Sequence, residues 1–369
     1  YITDGGYMTV LYREPNYDEL ELTEEFVPNL VEKLEGLNAE VREAATRLTP
    51  REARYLVDTF YQIQENRKRA ANQERAVLDT EESTELLTWL KRNETALEQN
   101  IRLLLQGYAQ ANVSSEWAMN IPGIGPILAA GLKAHIDITK APTVGHIWRY
   151  AGLDPSNKWY SAVESKTLVA EILGKKAATS RKDVEKLAAQ LGRNPDTLYR
   201  IATTSPKDGS ERKLTKASLA SALSTRPHNA RLKVLAWKIG EQFMKLSTNP
   251  KDIYGKVYAV RKQQEIAWNE ALKFKDQAER DIGGVSKGTE AYKAYSQGKL
   301  PAARILLRAK RYAVKLFLSH YHHVAYCQEY GVQPPKPYIF TQPDHTHFIA
   351  PPCWNDTTME IVNYDSWNV

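Results

Sequence analysis

The chain has 369 residues, of which 50 are Lys or Arg and 44 are Asp or Glu, so its formal net charge is +6. Its two cysteines do not supply the disulfide framework of a secreted protein, and no apolar run is long enough to cross a membrane. These features exclude a disulfide-stapled scaffold and a membrane-spanning protein. They favour a cytoplasmic protein of two or three domains with a sizeable core.

The charge is distributed unevenly. Residues 1–120 hold 13 basic and 22 acidic side chains, a net of −9, whereas residues 121–369 hold 37 and 22, a net of +15. A basic part that is separable in sequence from an acidic part is typical of proteins that bind a polyanion. Nucleic acid is therefore the expected partner.

The first 115 residues divide into an N-terminal segment, 1–20, and a predicted helical hairpin or coiled coil, 21–115. Leu48-Thr49-Pro50-Arg51-Glu52 combines a cap, a proline in the first turn and an acidic residue, which predicts a helix from Pro50 to about Val77. A second helix carries leucines on one stripe between 86 and 105. The apolar stripes are wide enough to serve a partner hairpin too, which predicts a homodimer.

The first of these helices also carries a basic cluster in an otherwise acidic region. Arg67, Arg69 and Arg75 lie around the helix together with amide side chains. A solvated helix face is one interpretation, and contact with an RNA backbone is the other.

Residues 116–160 contain the pattern of a helix-hairpin-helix unit. Between Ile121 and Asp137, an apolar residue, a proline and Gly123-x-Gly125 precede an apolar helix. Both glycines can take positive φ and lack a Cβ, so their amides could hold a phosphate oxygen at the start of the following helix. The alternative is a tight turn between two core helices without a ligand. Lys158 is a further candidate contact in this part of the chain.

Residues 161–222 differ in composition and predict an inserted subdomain. They hold 12 basic and seven acidic side chains, and the segment 184–201 has the spacing of a helix-turn-helix, with Ala188 at the helix crossing and Gly192 in the turn. Asn194 and Arg200 are candidate nucleic-acid contacts, with backbone docking favoured over base reading. A small helical domain without a ligand would have the same spacing.

Residues 223–350 form the predicted basic core, and 351–369 a tail. Helical patterns cover Arg226 to Pro250, Tyr254 to Glu279 and Arg304 to Tyr330, and one side of the last helix carries cations including Lys315. The candidate contacts with nucleic acid in this core are Arg226, Asn229, Arg231, Lys233, Arg304, Arg308, Lys310 and Arg311.

Four stretches together resemble a known family. They are Ile121-Pro-Gly-Ile-Gly-Pro-Ile-Leu-Ala-Ala-Gly-Leu, His146-Ile-Trp-Arg-Tyr-Ala-Gly-Leu-Asp-Pro, Arg231-Leu-Lys-Val-Leu-Ala-Trp-Lys-Ile-Gly and Arg308-Ala-Lys-Arg-Tyr-Ala-Val-Lys-Leu-Phe-Leu-Ser-His. They resemble the coiled-coil and C-terminal region of the insertion-sequence transposases of the 110 group, which use a bridging RNA. The resemblance covers roughly residues 50–160 and 223–350.

Those transposases also have a RuvC-like nuclease domain with acidic metal ligands, and residues 1–50 do not resemble it. A chain with the RNA-binding half alone is similar to the nuclease-free, TasA-like form of the Tas proteins of tandem-interspersed-guide-RNA systems, whose core is a Nop-like domain. The resemblance implies a mainly α protein that binds a guide RNA, finds target DNA by base pairing and leaves any cutting to a separate nuclease.

Two features are weighed for catalysis or metal binding. Ser224 lies near the position of the transposase serine nucleophile, but no acidic cluster or base accompanies it in the sequence. His320, His323 and Cys327, with His345 or His347, match no familiar zinc pattern. The sequence therefore predicts no cofactor, no metal and no enzyme activity. The rival hypotheses are a transposase or recombinase fragment that uses Ser224, and a structural protein that binds double-stranded DNA.

Overall fold

The computed structural model describes residues 39–78, 85–154, 159–174, 179–335 and 349–362. The prediction of a mainly α-helical protein is confirmed, with 15 α-helices in these ranges. None of these helices is long and apolar enough to span a membrane. The α-helices are α1 Ala39–Ala45, α2 Pro50–Leu78, α3 Glu85–Gln110, α4 Val113–Met119, α5 Pro126–His135, α6 Val144–Tyr150, α7 Ala162–Leu173, α8 Arg181–Leu191, α9 Pro195–Thr203, α10 Lys216–Ser224, α11 Ala230–Lys245, α12 Ile253–Glu270, α13 Lys275–Asp281, α14 Glu290–Ser296 and α15 Ala302–Tyr330.

Short 3-10 helices occur at Ile138–Lys140 and Ile282–Gly284. The strands β1 Trp354–Asn355 and β2 Glu360–Ile361 pair antiparallel near the end of the described chain. The last described range, residues 349–362, packs against the main core, where the Trp117 indole donates to the Pro352 carbonyl at 2.6 Å.

Helices α2 and α3 run antiparallel along each other. The Thr49 and Glu52 side chains form the expected reciprocal cap, in which the Thr49 amide donates to Glu52 Oε2 at 2.7 Å. Arg67 pairs with Glu98 at 2.6 Å, and Lys91 pairs with Glu74. Because residue numbers fall on one helix as they rise on the other, these pairs fix the antiparallel register.

The main hydrophobic core surrounds α5, which is buried along most of its length. Helices α2, α3, α4, α11, α12 and α15 contribute to this core. Gly131 lets α5 approach α11 closely, since a Cβ there would lie 2.7 Å from Leu235 Cδ1. The rings of Phe243, Tyr254 and Phe317 pack against one another at the centre, with centroids 4.9–5.6 Å apart.

A second hydrophobic cluster is built by α7, α8, α9 and α10 alone, from Val169 to Leu223. A third, smaller cluster joins α13, α14 and the start of α15. Two helix predictions need correction. The helix predicted over 226–250 is α11, which spans only Ala230–Lys245, because Asn229 caps its start. The helix predicted over 254–279 is divided into α12 and α13, because the chain turns at Leu272, where φ is +56°.

Candidate nucleic-acid interface

Four cations form a single stripe along α15. Arg304, Arg308, Arg311 and Lys315 recur at steps of four, three and four residues, which places them on one face of an α-helix. Arg304 and Arg311 are exposed, and Arg308 and Lys315 are half-buried. The stripe therefore presents a line of positive charge at the surface.

A buried carboxylate on α12 holds an arginine of the stripe in place. Glu265 accepts from Arg308 Nε at 2.6 Å and from Arg261 Nη2 at 2.8 Å, and only 1% of its side chain is exposed. One carboxylate thus orients two guanidinium groups. A further pair, Arg304 with Asp281, is looser at 3.7 Å and partly exposed.

Arg311 lies between these pairs and forms no salt bridge in the part of the chain that the structure describes. Although much of the Arg311 side chain is exposed, partial burial of its guanidinium and then the positive charges of Arg308 and Arg304 lower its pKa, and the charge of Glu265 opposes this shift only weakly. A cation whose nearest charges are mostly other cations favours an anionic ligand, which would offset the repulsion.

Aromatic rings alternate with these cations. The Arg261 guanidinium lies 4.6 Å from the Trp268 ring centroid and 4.5 Å from that of Tyr312, and Tyr312 is 44% exposed. Exposed rings beside a line of cations suit single-stranded nucleic acid, because bases stack on the rings while cations hold the backbone.

The end of the stripe contacts α6. The Lys315 ammonium lies 4.3 Å from the Trp148 ring centroid, and the Trp148 indole donates to the Lys315 carbonyl at 3.0 Å. Arg149 and Asp154 follow on the same segment, 3.6 Å apart. The stripe is therefore continuous with the region that contains α5 and α6.

Residues 115–167 match the family model of the transposase IS116/IS110/IS902 family. The match covers less than half of the chain and includes α5, α6 and Trp148. It supports the transposase-related part of the resemblance. The stretches beginning at Arg231 and Arg308 lie outside the matched residues, and their resemblance stays a prediction. No curated protein and no solved structure matches the chain.

The turn in the matched segment has one glycine that is packed against a helix and one that is exposed. Gly123 has φ of +85°, and the Ile124 amide donates to the Ile121 carbonyl at 3.0 Å, as in a type II turn. A Cβ on Gly123 would lie 2.9 Å from Leu246 Cδ1, so its bare face is packed against α11. Gly125 is exposed at the N-cap of α5 but has φ of −88°, so the expectation of positive φ there is wrong.

Five predicted contact residues do not belong to the stripe, and three of them form salt bridges within the protein. Lys310 is buried and paired with Glu241. Lys310 therefore does not share the side of α15 that carries Arg308 and Arg311, because α11 covers it. Arg231 pairs with Asp58 at 2.7 Å, and Arg67 pairs with Glu98 as described above. Arg69 and Arg75 are exposed on α2.

Other predicted residues gather where α6 meets the start of α11. The Asn229 side chain accepts from the Leu232 amide at 3.0 Å and donates to the Tyr150 hydroxyl at 2.9 Å, so it caps α11 and joins it to α6. Arg226 lies 5.5 Å from the Trp159 ring centroid, and Lys233 is exposed beside Gly152. Two further predicted contacts lie in the inserted subdomain. Asn194 caps the start of α9 and Arg200 lies on α9. Lys158 lies outside the described residues.

Ser224 lies at the end of α10, where its hydroxyl donates to the Ser221 carbonyl at 2.9 Å. Among the described residues, no group of three or more His, Cys, Asp or Glu side chains could hold a metal ion. His345 and His347 lie outside these residues. His320 instead donates to the Ile349 carbonyl at 2.8 Å, and burial lowers its pKa to about 3. It therefore serves the packing of the tail.

Sequence reasoning missed the partners that complete the stripe. Arg261, Trp268, Tyr312 and Trp148 are not among the contacts predicted from the sequence. The spacing of four, three and four residues between the cations from Arg304 to Lys315 is visible in the sequence, and it identifies the face of α15 that carries the stripe. The contacts of Arg261 with α15 join distant parts of the chain, and no local pattern indicates them.

Proposed function

We propose that the chain is a guide-RNA-binding protein of an RNA-guided DNA-targeting system, and that it binds without cutting. The observation that carries the proposal is the stripe of Arg304, Arg308, Arg311 and Lys315, which contacts the transposase-like segment through Trp148. The cations would hold RNA phosphates, and the rings beside them would stack unpaired bases.

The roles of the partners follow from the resemblance to the guide-RNA systems. The guide would select target DNA by base pairing, while the protein holds the sugar-phosphate backbone. A separate nuclease would supply any cleavage. The exposed leucines of α3 would join two copies of the chain, so that the ribonucleoprotein is a homodimer.

A transposase or recombinase subunit that uses Ser224 is the second candidate, because the matched family is one of transposases. A serine nucleophile needs a base or a metal to activate it. In the described structure the Ser224 hydroxyl is bound to a backbone carbonyl of its own helix. Strand transfer that disappears in Ser224→Ala would favour this candidate, and unchanged strand transfer would remove it.

The proposal is tested by sequencing the nucleic acid that co-purifies with the chain and by measuring its amount in two variants. Arg311→Glu places a negative charge in the stripe, and we expect it to lower RNA affinity at least tenfold, or about 1.4 kcal/mol, with a weaker salt dependence. Arg102→Glu makes the same change on the exposed surface of α3 and should retain the RNA. Recovery of protein free of RNA from its host, or equal loss in both variants, would contradict the proposal.

A further inference from the structure

Helices α7–α10 form a unit with its own hydrophobic core, which the proposed RNA-binding stripe does not use. Val184, Leu187 and Leu198 are among its buried side chains, and none of them belongs to the main core. Because the unit does not contribute to the main core, the stability of the rest of the protein does not explain its presence. Its surface suggests one.

Helices α8 and α9 have the local geometry of a helix-turn-helix. Gly192 ends α8 in the left-handed conformation, with φ of +61°, and the Arg193 amide donates to the Ala188 carbonyl at 2.8 Å. Asn194 then caps α9 by accepting from the Thr197 amide at 2.9 Å. Ala188 is fully buried, so the two helices can cross closely.

The two faces of α9 differ in what they contact. Leu198 and Ala202 are buried, and the exposed side of the helix carries Asn194, Thr197 and Arg200 at steps of three residues. Arg200 has no carboxylate partner among the described residues. The acidic Asp196 is instead paired with Arg181 of α8. The exposed side therefore presents amide, hydroxyl and guanidinium groups, which are the groups that bind base edges and phosphates.

A short β-hairpin follows α9 directly. Its two arms are joined by the Thr204–Glu211 bridge and by a hydrogen bond from the Ser205 amide to the Ser210 carbonyl at 2.8 Å. The Arg212 guanidinium fixes the hairpin to α9, because it donates to the carbonyls of Ile201 at 3.1 Å and Ala202 at 2.8 Å. The exposed tip, residues 206–209, carries Lys207, which is also without a carboxylate partner in the described part of the chain.

We propose that α8, α9 and the hairpin at 203–212 form a second nucleic-acid site, which takes duplex DNA with α9 in the major groove and Lys207 on a flanking phosphate. The major groove of B-form DNA is wide enough for an α-helix, whereas that of an A-form RNA duplex is too narrow and deep. The site is independent of the guide-RNA proposal. It would hold DNA near the chain before any base pairing with a guide.

The test measures binding of the full chain to a mixed-sequence DNA duplex, and to an RNA duplex of the same sequence, as a function of salt. Arg200→Ala and Lys207→Ala are each expected to weaken DNA binding by about tenfold or less and to reduce the salt slope by about 1. Arg200→Lys keeps the charge and should recover most of the binding. Lys166→Ala removes the same charge from the exposed surface of α7 and should leave binding unchanged.

The same measurements are repeated in chains that carry Arg311→Glu, so that the α15 stripe contributes less to DNA binding. The losses caused by Arg200→Ala and Lys207→Ala should persist there, because the two sites are separate. Unchanged DNA binding in both alanine variants would overturn the proposal. So would an equal loss in Lys166→Ala, tighter binding of the RNA duplex through Arg200, or losses that vanish in the Arg311→Glu chain.

Discussion

The ammonium of Lys315 lies 4.3 Å from the centroid of the Trp148 ring, while the Trp148 indole donates to the Lys315 carbonyl at 3.0 Å. Burial lowers the pKa of Lys315, and this effect together with the charge of Arg311 outweighs the opposing charge of Asp154, so folding does not favour the charge of Lys315. We therefore expect Lys315→Met, which keeps the apolar stem, to leave the melting temperature unchanged or higher. Nucleic-acid binding should weaken, with a salt slope reduced by about 1.

Titration of fluorescent RNA at several salt concentrations measures the slope, and thermal unfolding measures stability. Lys245→Met changes an exposed lysine of α11 and should bind as the unchanged protein does. A Lys315→Met protein that binds equally well but unfolds earlier would assign Lys315 to packing and remove it from the interface.

The two glycines of the turn should respond differently to alanine. At Gly123, where φ is +85°, a Cβ would lie 3.0 Å from Gln242 Cβ, so we expect Gly123→Ala to cost about 1–3 kcal/mol. At Gly125 no heavy atom lies within 4 Å of an added Cβ. Alanine is a poorer N-cap than glycine, which destabilises the helix, but it also lowers the entropy of the unfolded chain, which stabilises the fold. We expect the two effects to roughly offset each other. Urea denaturation measures both effects.

Binding then separates packing from ligand contact at this turn. If the Gly125 amide approaches a phosphate, Gly125→Ala should weaken RNA binding while the free energy of unfolding stays within about 0.5 kcal/mol of the starting value. Unchanged binding in a stable Gly125→Ala protein would leave the turn with a purely structural role.

Self-association should depend on the apolar side chains that α3 leaves at the surface. Leu86 is 75% exposed and Leu97 is 49% exposed. Their spacing of 11 residues, about three turns, places them on one side of the helix. We expect the double variant Leu86→Ser, Leu97→Ser to be monomeric in light scattering, because a helix-helix contact would lose its apolar surface. Gln99→Ser, an exposed polar change on the same helix, should still be dimeric, and a dimer of the double variant would place the contact elsewhere.

The helices were predictable where local signals define them, and the interface was predictable only in part. The cap at Thr49 and the apolar period of α15 are local, so both helix starts could be placed within about two residues. Lys310 and Arg311 are adjacent in the sequence, but only Lys310 is covered by α11, where it pairs with Glu241. The sequence does not indicate this difference. The bond from Arg308 to Glu265 joins residues 43 apart, and only the packing of α12 on α15 brings them together.

That buried carboxylate is expected to matter for stability. Glu265→Gln removes the charge that both Arg261 and Arg308 contact, which leaves two guanidinium groups close together with no counter-charge. The expected loss is about 3–5 kcal/mol, as for other broken buried ion pairs. Glu270→Gln, which breaks an exposed pair with Lys299, should cost less than about 1 kcal/mol. Equal losses in chemical denaturation would mean that Glu265 is not the anchor of the stripe.

Bound RNA should restore part of the stability of the Glu265→Gln protein. Phosphates would supply the negative charge that the carboxylate provided, so added RNA should raise its melting temperature more than that of the unchanged protein. An equal rise in both proteins would show that the ligand does not contact this end of the stripe.

The start of α12 should make stability depend on pH. Asp252 is fully buried at the helix N-cap, and burial raises the pKa of its carboxyl from 3.8 to about 6. The folded protein therefore holds this proton more tightly than the unfolded chain does. Well below pH 3.8 the group is protonated in both states and has no effect. Stability falls as the pH rises from 3.8 towards 6, and above about pH 6 the fold is destabilised by an amount on the order of 3 kcal/mol. The Asp252→Asn variant should lack this pH-dependent destabilisation. Its free energy of unfolding relative to that of the unchanged protein should therefore rise as the pH increases from 4 to 8. Urea denaturation across that range would refute the assignment if the difference between the two proteins stayed constant or fell.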